Sequence, residues 1–365
     1  MIILTINTGS SSVRLGLFEK TSTGLTRLKE RRVDPDEDLP EHLLENFLRE
    51  RSHLINAVAH RIVHGGSALT DSCVINEQVE KKIDRLGILA PLHNPVALKW
   101  VRACRAVTGE DVSQVAVFDT AFYSTMPEVS SMYALPKNLC REHGIRRYGF
   151  HGIAHRAMLQ RLQKLRPDIG TEGKIISIQL GSGCSMTAIK QGRAVDTSMG
   201  FSPNEGLVMS TRSGDIDSGV LVYLQNRAGY SIHEIDKILN SSSGLFGVSG
   251  LSGDMKFLLA SDRPEAKRAV ELYCYRVRKY IGSFIAVLGG VDCILFGGGV
   301  GENSSLIRKR IIENMEWCGI TFDEHANDET IGKEGFIHSE HSRVPLMVVP
   351  VEEADVLAEE AVNVL

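Results

Sequence analysis

The chain has 365 residues, of which 43% are hydrophobic and 24% charged, and its net charge is −4. That length favours two domains over a single core, and the composition excludes a globally disordered chain. A negative balance without a lysine or arginine cluster argues against a nucleic-acid or membrane-surface partner.

The seven cysteines (73, 104, 140, 184, 274, 293 and 318) are odd in number and lack CxxC spacing. They read as reduced thiols of a cytoplasmic protein, not a disulfide frame or zinc site. The start, MIILTINTGS, has no basic stretch and reads as no signal peptide. The most apolar run, 281–300, is interrupted by Asp292 and glycines, so no membrane span is expected.

In chain order, IILTI (2–6) and Val13 to Phe18 predict two strands around the polar turn Asn7, Thr8, Gly9, Ser10, Ser11, Ser12. Residues 41–56 carry an amphipathic helix pattern, followed by the strand-like AVAHRIV. Pro95 fits the first turn of a helix to about Val107, and QVAVF (114–118) predicts a buried strand ending at Asp119. The opening grammar then returns as KIISIQL, Gly181-Ser182-Gly183, CSMTAIK, which predicts a duplicated architecture. Val270, Tyr273, Cys274, Val277, Ile281, Phe284, Ile285 and Leu288 keep helical spacing. That helix leads to the strand CILF (293–296), a glycine turn, the strand LMVV (346–349) and a terminal helix from about Glu353. Alternating strands and helices predict an α/β fold with ligands at the strand ends.

Three glycine/serine turns follow strands: 7–12, 181–183, and Gly297, Gly298, Gly299, Val300, Gly301, Glu302, Asn303. Such turns cradle phosphates, because glycine lets backbone N–H groups approach an anion, yet a single one is more often a plain hairpin. Three together favour a nucleotide site, although no Gly-Lys-Ser/Thr of a Walker loop is present. Arg61 in HRIVHGG and Arg212 in TRSGDID lie in glycine-containing polar segments, which suits arginines that neutralise phosphoryl charge. Alone, either would read as a surface ion pair. Asp119 ends a hydrophobic strand, where it could hold a metal, accept a proton or cap the next segment. His93 and His151 read as structural histidines unless other evidence recruits them. Glu352 and Glu353 at a helix start favour the helix dipole.

Taken in order, NTGSSS, HRIVHGG, LAPLHNP, VFDTAFYSTMP, RYGFHGIAH, DTSMGFSPNEGLVMSTRSGDID, FGGGVGENS and PVEEADVLA resemble the acetate and propionate kinase family nearly end to end. The resemblance implies an α/β, duplicated, actin-like (ribonuclease H-like) two-lobed fold with a nucleotide cleft between lobes. It assigns residues 1–148 to the first lobe, 149–350 to a nucleotide-binding second lobe, and 351–365 to a terminal helix packing back on the first. The implied reaction is reversible Mg²⁺-dependent phosphoryl transfer between ATP and acetate, giving acetyl phosphate and ADP. Domain closure to exclude water and a homodimer come with the family.

The resemblance further implies roles for single residues. Asn7 and Glu353 fall in the magnesium and phosphate region, and Asp119 positions metal or substrate. Arg61 and Arg212 bind the carboxylate and neutralise the moving phosphoryl group, while His151 donates to its oxygens. Ser10, Ser12 and Arg14 belong to the phosphate set. Gln179, Gly181, Ser182 and Gly183 hold nucleotide phosphates; Asp254, Met255 and Lys256, with the 297–303 turn, hold the nucleoside. Val63, Leu92, His93, Phe150 and Pro203 match a small acyl pocket. Gln179 stands where the family usually has histidine, and Ser182 where it has asparagine. The alternatives left open are a propionate, butyrate or pyrophosphate-using relative, or a weakly active nucleotide-binding paralogue.

Overall fold

The computed structural model describes residues 1–9, 12–34, 38–49, 54–91 and 93–365. It divides into two compact units: Met1–Ser124 with Phe150–Ala157 and Glu352–Leu365, and Thr125–Gly149 with Met158–Val351.

In the first unit six strands form one mixed sheet: β1 (Ile2–Thr8), β2 (Val13–Thr21), β3 (Gly24–Val33), β4 (Ala57–Ile62), β5 (Cys73–Val74) and β6 (Ser113–Phe118). Their order is β3-β2-β1-β4-β6-β5. β1, β4 and β6 run parallel, and β2, β3 and β5 pair antiparallel with their neighbours. The central strands are buried on both faces, as parallel strands covered by helices must be. Leu4, Ile6 and Val58 turn to one face, against Leu44 and Phe47 of the helix Pro40–Leu48 and Trp100 and Cys104 of the helix Asn94–Thr108. Ile3, Ala59, Val115 and Val117 turn to the other, against Ala354, Leu357 and Ala358 of the helix Glu353–Val364.

The second unit repeats this plan with β7 (Lys174–Leu180), β8 (Cys184–Lys190), β9 (Arg193–Thr197), β10 (Cys293–Gly297), β11 (Gly335–Phe336) and β12 (Leu346–Val348). Its order, β9-β8-β7-β10-β12-β11, matches the first sheet strand for strand, with the same parallel and antiparallel senses. The expected duplication is therefore a duplication of topology. The long helix Pro264–Leu288 buries every residue of the expected apolar stripe except Ile285, which is half-buried.

Three expectations need correcting. The helix expected over 41–56 ends at Leu48, where Arg49 adopts a positive φ of 52° that breaks it. The strand LMVV stops at Val348. The turn expected at 297–303 is mostly helical: Gly298–Asn303 forms a short helix directly after β10, and Ser304 caps a second, Ser305–Ile312.

Burial also fixes how the fold responds to acid. His60 sits inside the first unit with its Nε2 2.6 Å from Gln114 Oε1, and burial lowers its pKa to about 4. Burial likewise lowers His155 to about 3. An unfolded chain protonates these rings below about pH 6.5, whereas the folded chain resists until about pH 4. Their contribution to stability is complete above pH 6.5 and is lost as pH falls toward 4. Unfolding free energies from urea titrations should fall by about 1.4 kcal/mol per pH unit for each such histidine between about pH 6.5 and pH 5, and stay level from pH 7 to 6.5. His60→Gln should flatten that dependence by one histidine's share, and an unchanged slope would sink the assignment.

Candidate active site

The period of a strand builds the first half of the site. Side chains two residues apart share a face, so the face that buries Ile3, Ala59 and Val117 reaches Asn7, Arg61 and Asp119 at the strand ends. β1, β4 and β6 are parallel neighbours, so these three lie side by side at the carboxyl edge of the sheet, where ligands of α/β folds bind. The helix covering that face begins at Glu353.

The four side chains form one bonded set. Asn7 Nδ2 donates to Glu353 Oε2 at 2.6 Å, and Arg61 Nη1 donates to Asn7 Oδ1 at 3.2 Å. Arg61 Nε and Nη2 both donate to Asp119 Oδ2, at 3.1 and 2.7 Å. The amide of Ile153 reaches Asp119 Oδ1 at 3.4 Å. Burial opposes the Arg61 charge, but Asp119 and Glu353 outweigh it and hold the guanidinium above its ordinary pKa. Burial pushes the Asp119 carboxyl up, and Arg61 draws it back. The short, doubled contact identifies an ionised pair at neutral pH.

Other expected residues of this unit fall nearby or elsewhere. Arg14 is exposed and pairs with Asn7 across the β1–β2 ladder, which puts both side chains on one face. Ser12 closes the first turn, its carbonyl accepting from Gly9 N at 2.9 Å. His151 adopts a positive φ of 57°, uncommon for a residue with a side chain, and its carbonyl opens the next helix by accepting from His155 N. Val63 and Phe150 are buried, and the Phe150 ring stands edge-on to His64 at 5.5 Å. His93 precedes the helix Asn94–Thr108 as its cap residue. Ser10 and Leu92 lie outside the described residues.

In the second unit the glycines divide by what a side chain would strike. At Gly297 a Cβ would meet Met158 Sδ at 2.4 Å, and at Gly298, with φ 78°, Leu180 O at 2.6 Å. These two are glycine because protein atoms crowd them. At Gly299 nothing lies within 4 Å, and at Gly181 only Gly183 O, at 3.4 Å. Both positions leave space beside the Cα, although the Gly181 amide already donates to Gly183 O at 3.1 Å. Gln179 pairs with Gly297 across the β7–β10 ladder, and its Oε1 is buried without a hydrogen-bond partner. Ser182 accepts Ser210 N at its carbonyl, 3.1 Å away. Asp254 caps the helix Met255–Ala260 through Phe257 N, which accounts for its place in DMK structurally. Arg212 donates from Nη1 to Pro203 O at 3.0 Å, so those two expected residues do come together.

Sequence reasoning missed what shapes the 297–303 segment. Glu302 Oε1 accepts from Gly298 N and Val351 N at 2.9 and 3.1 Å. Arg308, wholly buried, donates to the carbonyls of Gly301 and Glu302 and to Asn327 and Thr330. Burial lowers its pKa to about 10, which leaves it charged at neutral pH. No motif marks Arg308; its single clue is an arginine amid the apolar spacing of Leu306, Ile307, Ile311 and Ile312.

A sequence model of the acetokinase family matches residues 37–359. The chain belongs to that family. An acetate kinase of Chloroherpeton thalassium is 46% identical over 83% of this chain and 74% of its own. One from Bacteroides thetaiotaomicron is 38% identical over the full length of both. The crystal structure of Porphyromonas gingivalis acetate kinase superposes with TM-score 0.88 at 37% identity, covering 100% of this chain and 99% of that one. A propionate kinase from Francisella tularensis gives 0.90 at 35%, covering both chains completely. Membership makes the chain a phosphotransferase of the acetate kinase class, with the duplicated actin-like α/β fold.

The Arg61–Asp119 pair yields a direct test. Asp119→Leu leaves a buried guanidinium without its carboxylate and should cost about 3–5 kcal/mol of stability. Adding Arg61→Met should recover most of that loss, read as urea midpoints of the two variants. A single variant as stable as the parent would show that the pair carries no structural load.

Proposed function

We propose that the protein is an acetate kinase, catalysing reversible in-line transfer of the γ-phosphoryl group of ATP to acetate. The observation that carries the reading is the bonded set Asn7, Arg61, Asp119 and Glu353 on one face at the carboxyl edge of the first sheet. An ionised carboxylate is already the nucleophile, so no strong general base is needed. What the reaction needs is charge management, since two anions must meet.

In this reading an acetate oxygen attacks the γ-phosphorus, a new P–O bond forms, and the bond to the ADP oxygen breaks with its electron pair leaving on ADP. Arg61 and Arg212 neutralise carboxylate and equatorial phosphoryl oxygens, and His151 adds a donor. The open space beside Gly299 supports the approach of a phosphate in the second unit. Asp254 to Lys256 and the 297–303 segment take the nucleoside, and Val63, Phe150 and Pro203 take the acyl methyl.

The reaction class also calls for a divalent cation, proposed as Mg²⁺. Among the described residues no three His, Cys, Asp or Glu side chains cluster as a dedicated metal cage. The residues fit an ion held largely by water and nucleotide phosphates: beyond burial, the negative charge of Glu353 beside Asp119 raises the proton affinity of Asp119, a repulsion a cation would relieve, and Asn7 adds an amide oxygen. When bound, the ion would polarise the phosphoryl oxygens and offset their charge.

A homodimer and a cytoplasmic location complete the proposal. The helix Ser218–Asn226 buries none of its residues, and Val220, Val222 and Tyr223 are exposed with the flanking Ile216 and Ile232. Exposed apolar side chains gathered along one helix and its flanks support burial against a second copy. No described helix is long and apolar enough to cross a membrane, and the cysteines are unpaired thiols.

Hydroxamate trapping with Mg-ATP and acetate, beside propionate, butyrate and pyrophosphate controls, should give most product with ATP and acetate. Arg212→Ala should lower kcat on the order of a hundredfold or more. ATP binding without acyl phosphate from any acid would overturn the reading in favour of a non-catalytic paralogue. For the assembly, sedimentation velocity should show a dimer that Val222→Asp with Tyr223→Asp converts to monomer; a parent chain sedimenting as monomer ends that proposal.

A further inference from the structure

The segment bearing Pro203 and Arg212 contains no regular structure between β9 and Ser218, yet it is tied down throughout: Ser210, Thr211 and Ser213 bond to the backbone of Ser182, Ser243 and Leu239, and two further ties hold the stretches on either side. At the first, Glu205 accepts from the hydroxyl of Tyr133 and, at 2.5 Å, from Arg147 Nη2. Arg147 turns its Nη1 to three successive carbonyls, Thr197, Ser198 and Met199, at 3.2, 3.4 and 3.2 Å. The Tyr133 oxygen in turn accepts Phe201 N at 2.8 Å, and Gly200 O accepts Tyr148 N at 3.0 Å. Gly200 must lack a side chain, because a Cβ there would lie 1.6 Å from Glu205 Oε2 and 2.1 Å from the Tyr133 oxygen.

At the second point Asp215 closes the loop. Its Oδ1 accepts Gly206 N at 2.8 Å, its own amide donates to Gly206 O at 3.0 Å, and its Oδ2 accepts the Tyr280 hydroxyl at 2.8 Å. Gly206 and Gly214 take positive φ values of 104° and 68° to make the bend. Between the two ties, Arg212 binds Pro203 O, and Met209 N donates to Arg212 O at 3.2 Å. The main chain at Arg212 is fixed by its neighbours' bonds to Ser182, Leu239 and Ser243, whereas the Pro203 carbonyl that receives its guanidinium sits on the stretch that Glu205 holds.

We propose that Glu205 is a positioning residue: with Tyr133 and Arg147 it presets the loop so that Arg212 and Pro203 meet the carboxylate substrate without reordering. This rests on the reading of Arg212 as a substrate-binding arginine. Glu205 is the point where the carbonyl ladder under Arg147 joins the tyrosine that holds Phe201, so its charge governs both. A glutamine there keeps the volume and one acceptor but gives up the ionic bond to Arg147. The loop then samples positions in which the guanidinium misses the carboxylate, a fault that registers in substrate use and not in nucleotide binding.

The test is a double-mutant cycle of Glu205→Gln with Arg212→Lys, assayed for KM of acetate, KM of ATP, kcat and melting temperature. Alone, Glu205→Gln should raise the acetate KM about tenfold while the ATP KM stays within about twofold. In the Arg212→Lys background it should add less than about twofold, because the residue it acts through is already altered. Equal factors in both backgrounds, or parallel rises for ATP and acetate, overturn the proposal. Tyr133→Phe attacks the same tie from its neutral side and should shift the acetate KM in the same direction; it serves where Glu205→Gln folds poorly. If the parent makes no acyl phosphate, the kinase reading fails alone, and amide exchange decides the positioning claim. Glu205→Gln must then speed exchange over 199–215 and not over 174–190, and unchanged exchange over 199–215 overturns it.

Discussion

A guanidinium buried under a helix is the constraint around which the first unit is organised. Arg61 has almost no access to water, so its charge must be answered within the protein. Asp119 answers it from the neighbouring strand, and Asn7 orients it from the strand on the other side. Glu353 completes the set from the helix that caps the face. Each partner arrives from a different part of the chain, so the full set forms only when β1, β4, β6 and the terminal helix are all in place. A charge held this way costs desolvation energy, and hydrophobic replacements of such pairs are often no less stable.

The second unit solves the opposite problem with the same residue type. Arg308 is equally buried, but backbone carbonyls and the Asn327 amide oxygen surround it instead of carboxylates. Carbonyl dipoles satisfy the donors without neutralising the charge, which is why burial lowers its pKa while carboxylates raise that of Arg61. Positive charge behind the Gly301–Glu302 peptide, opposed by Asp328 without a direct ion pair, suits a segment proposed to receive nucleotide. Arg61 is thus an arginine whose own charge is engaged, and Arg308 one that shapes the backbone in front of it.

Much of this was legible in the sequence because it depends on local periodicity. Apolar, β-branched runs placed β1, β4 and β6, whereas the shared face of Asn7, Arg61 and Asp119 needed the register of the parallel pairing. The stripe from Val270 to Leu288 marked the long helix, with Ile285 alone less buried than its spacing implies. What escaped depends on contacts far apart in the chain. Tyr133, Arg147 and Glu205 meet across 72 residues, and nothing local in RYGFHG or NEGLV declares the pairing. The glycines of 297–301 were read together as a phosphate turn, yet only neighbouring atoms reveal that Gly297 and Gly298 serve packing and Gly299 faces open space. A glycine's reason for being glycine lies in its surroundings.

The duplication shows how far topology and chemistry can separate. Asn7 and Gln179 each sit one rung before the end of their hairpin ladder, paired with Arg14 and Ser185. Arg61, one residue beyond the His60 that pairs with Ile6, stands level with Asn7, as Gly297 stands level with Gln179. Asp119, two residues past the partner of Arg61, finds its counterpart in Val351, two past the residue whose amide bonds Phe296 O. The repeated positions therefore carry amide, cation and carboxylate in one unit but amide, glycine and valine in the other. Identical strand order did not require identical side chains at the sheet edge. In the first unit, buried charge must be balanced by named partners, and the edge is full. In the second, a bare Cα at Gly297 packs against Met158 and Val351, and the polar work passes to the backbone of the following segment. The same topological positions thus answer a demand for charge balance in one unit and for close packing in the other.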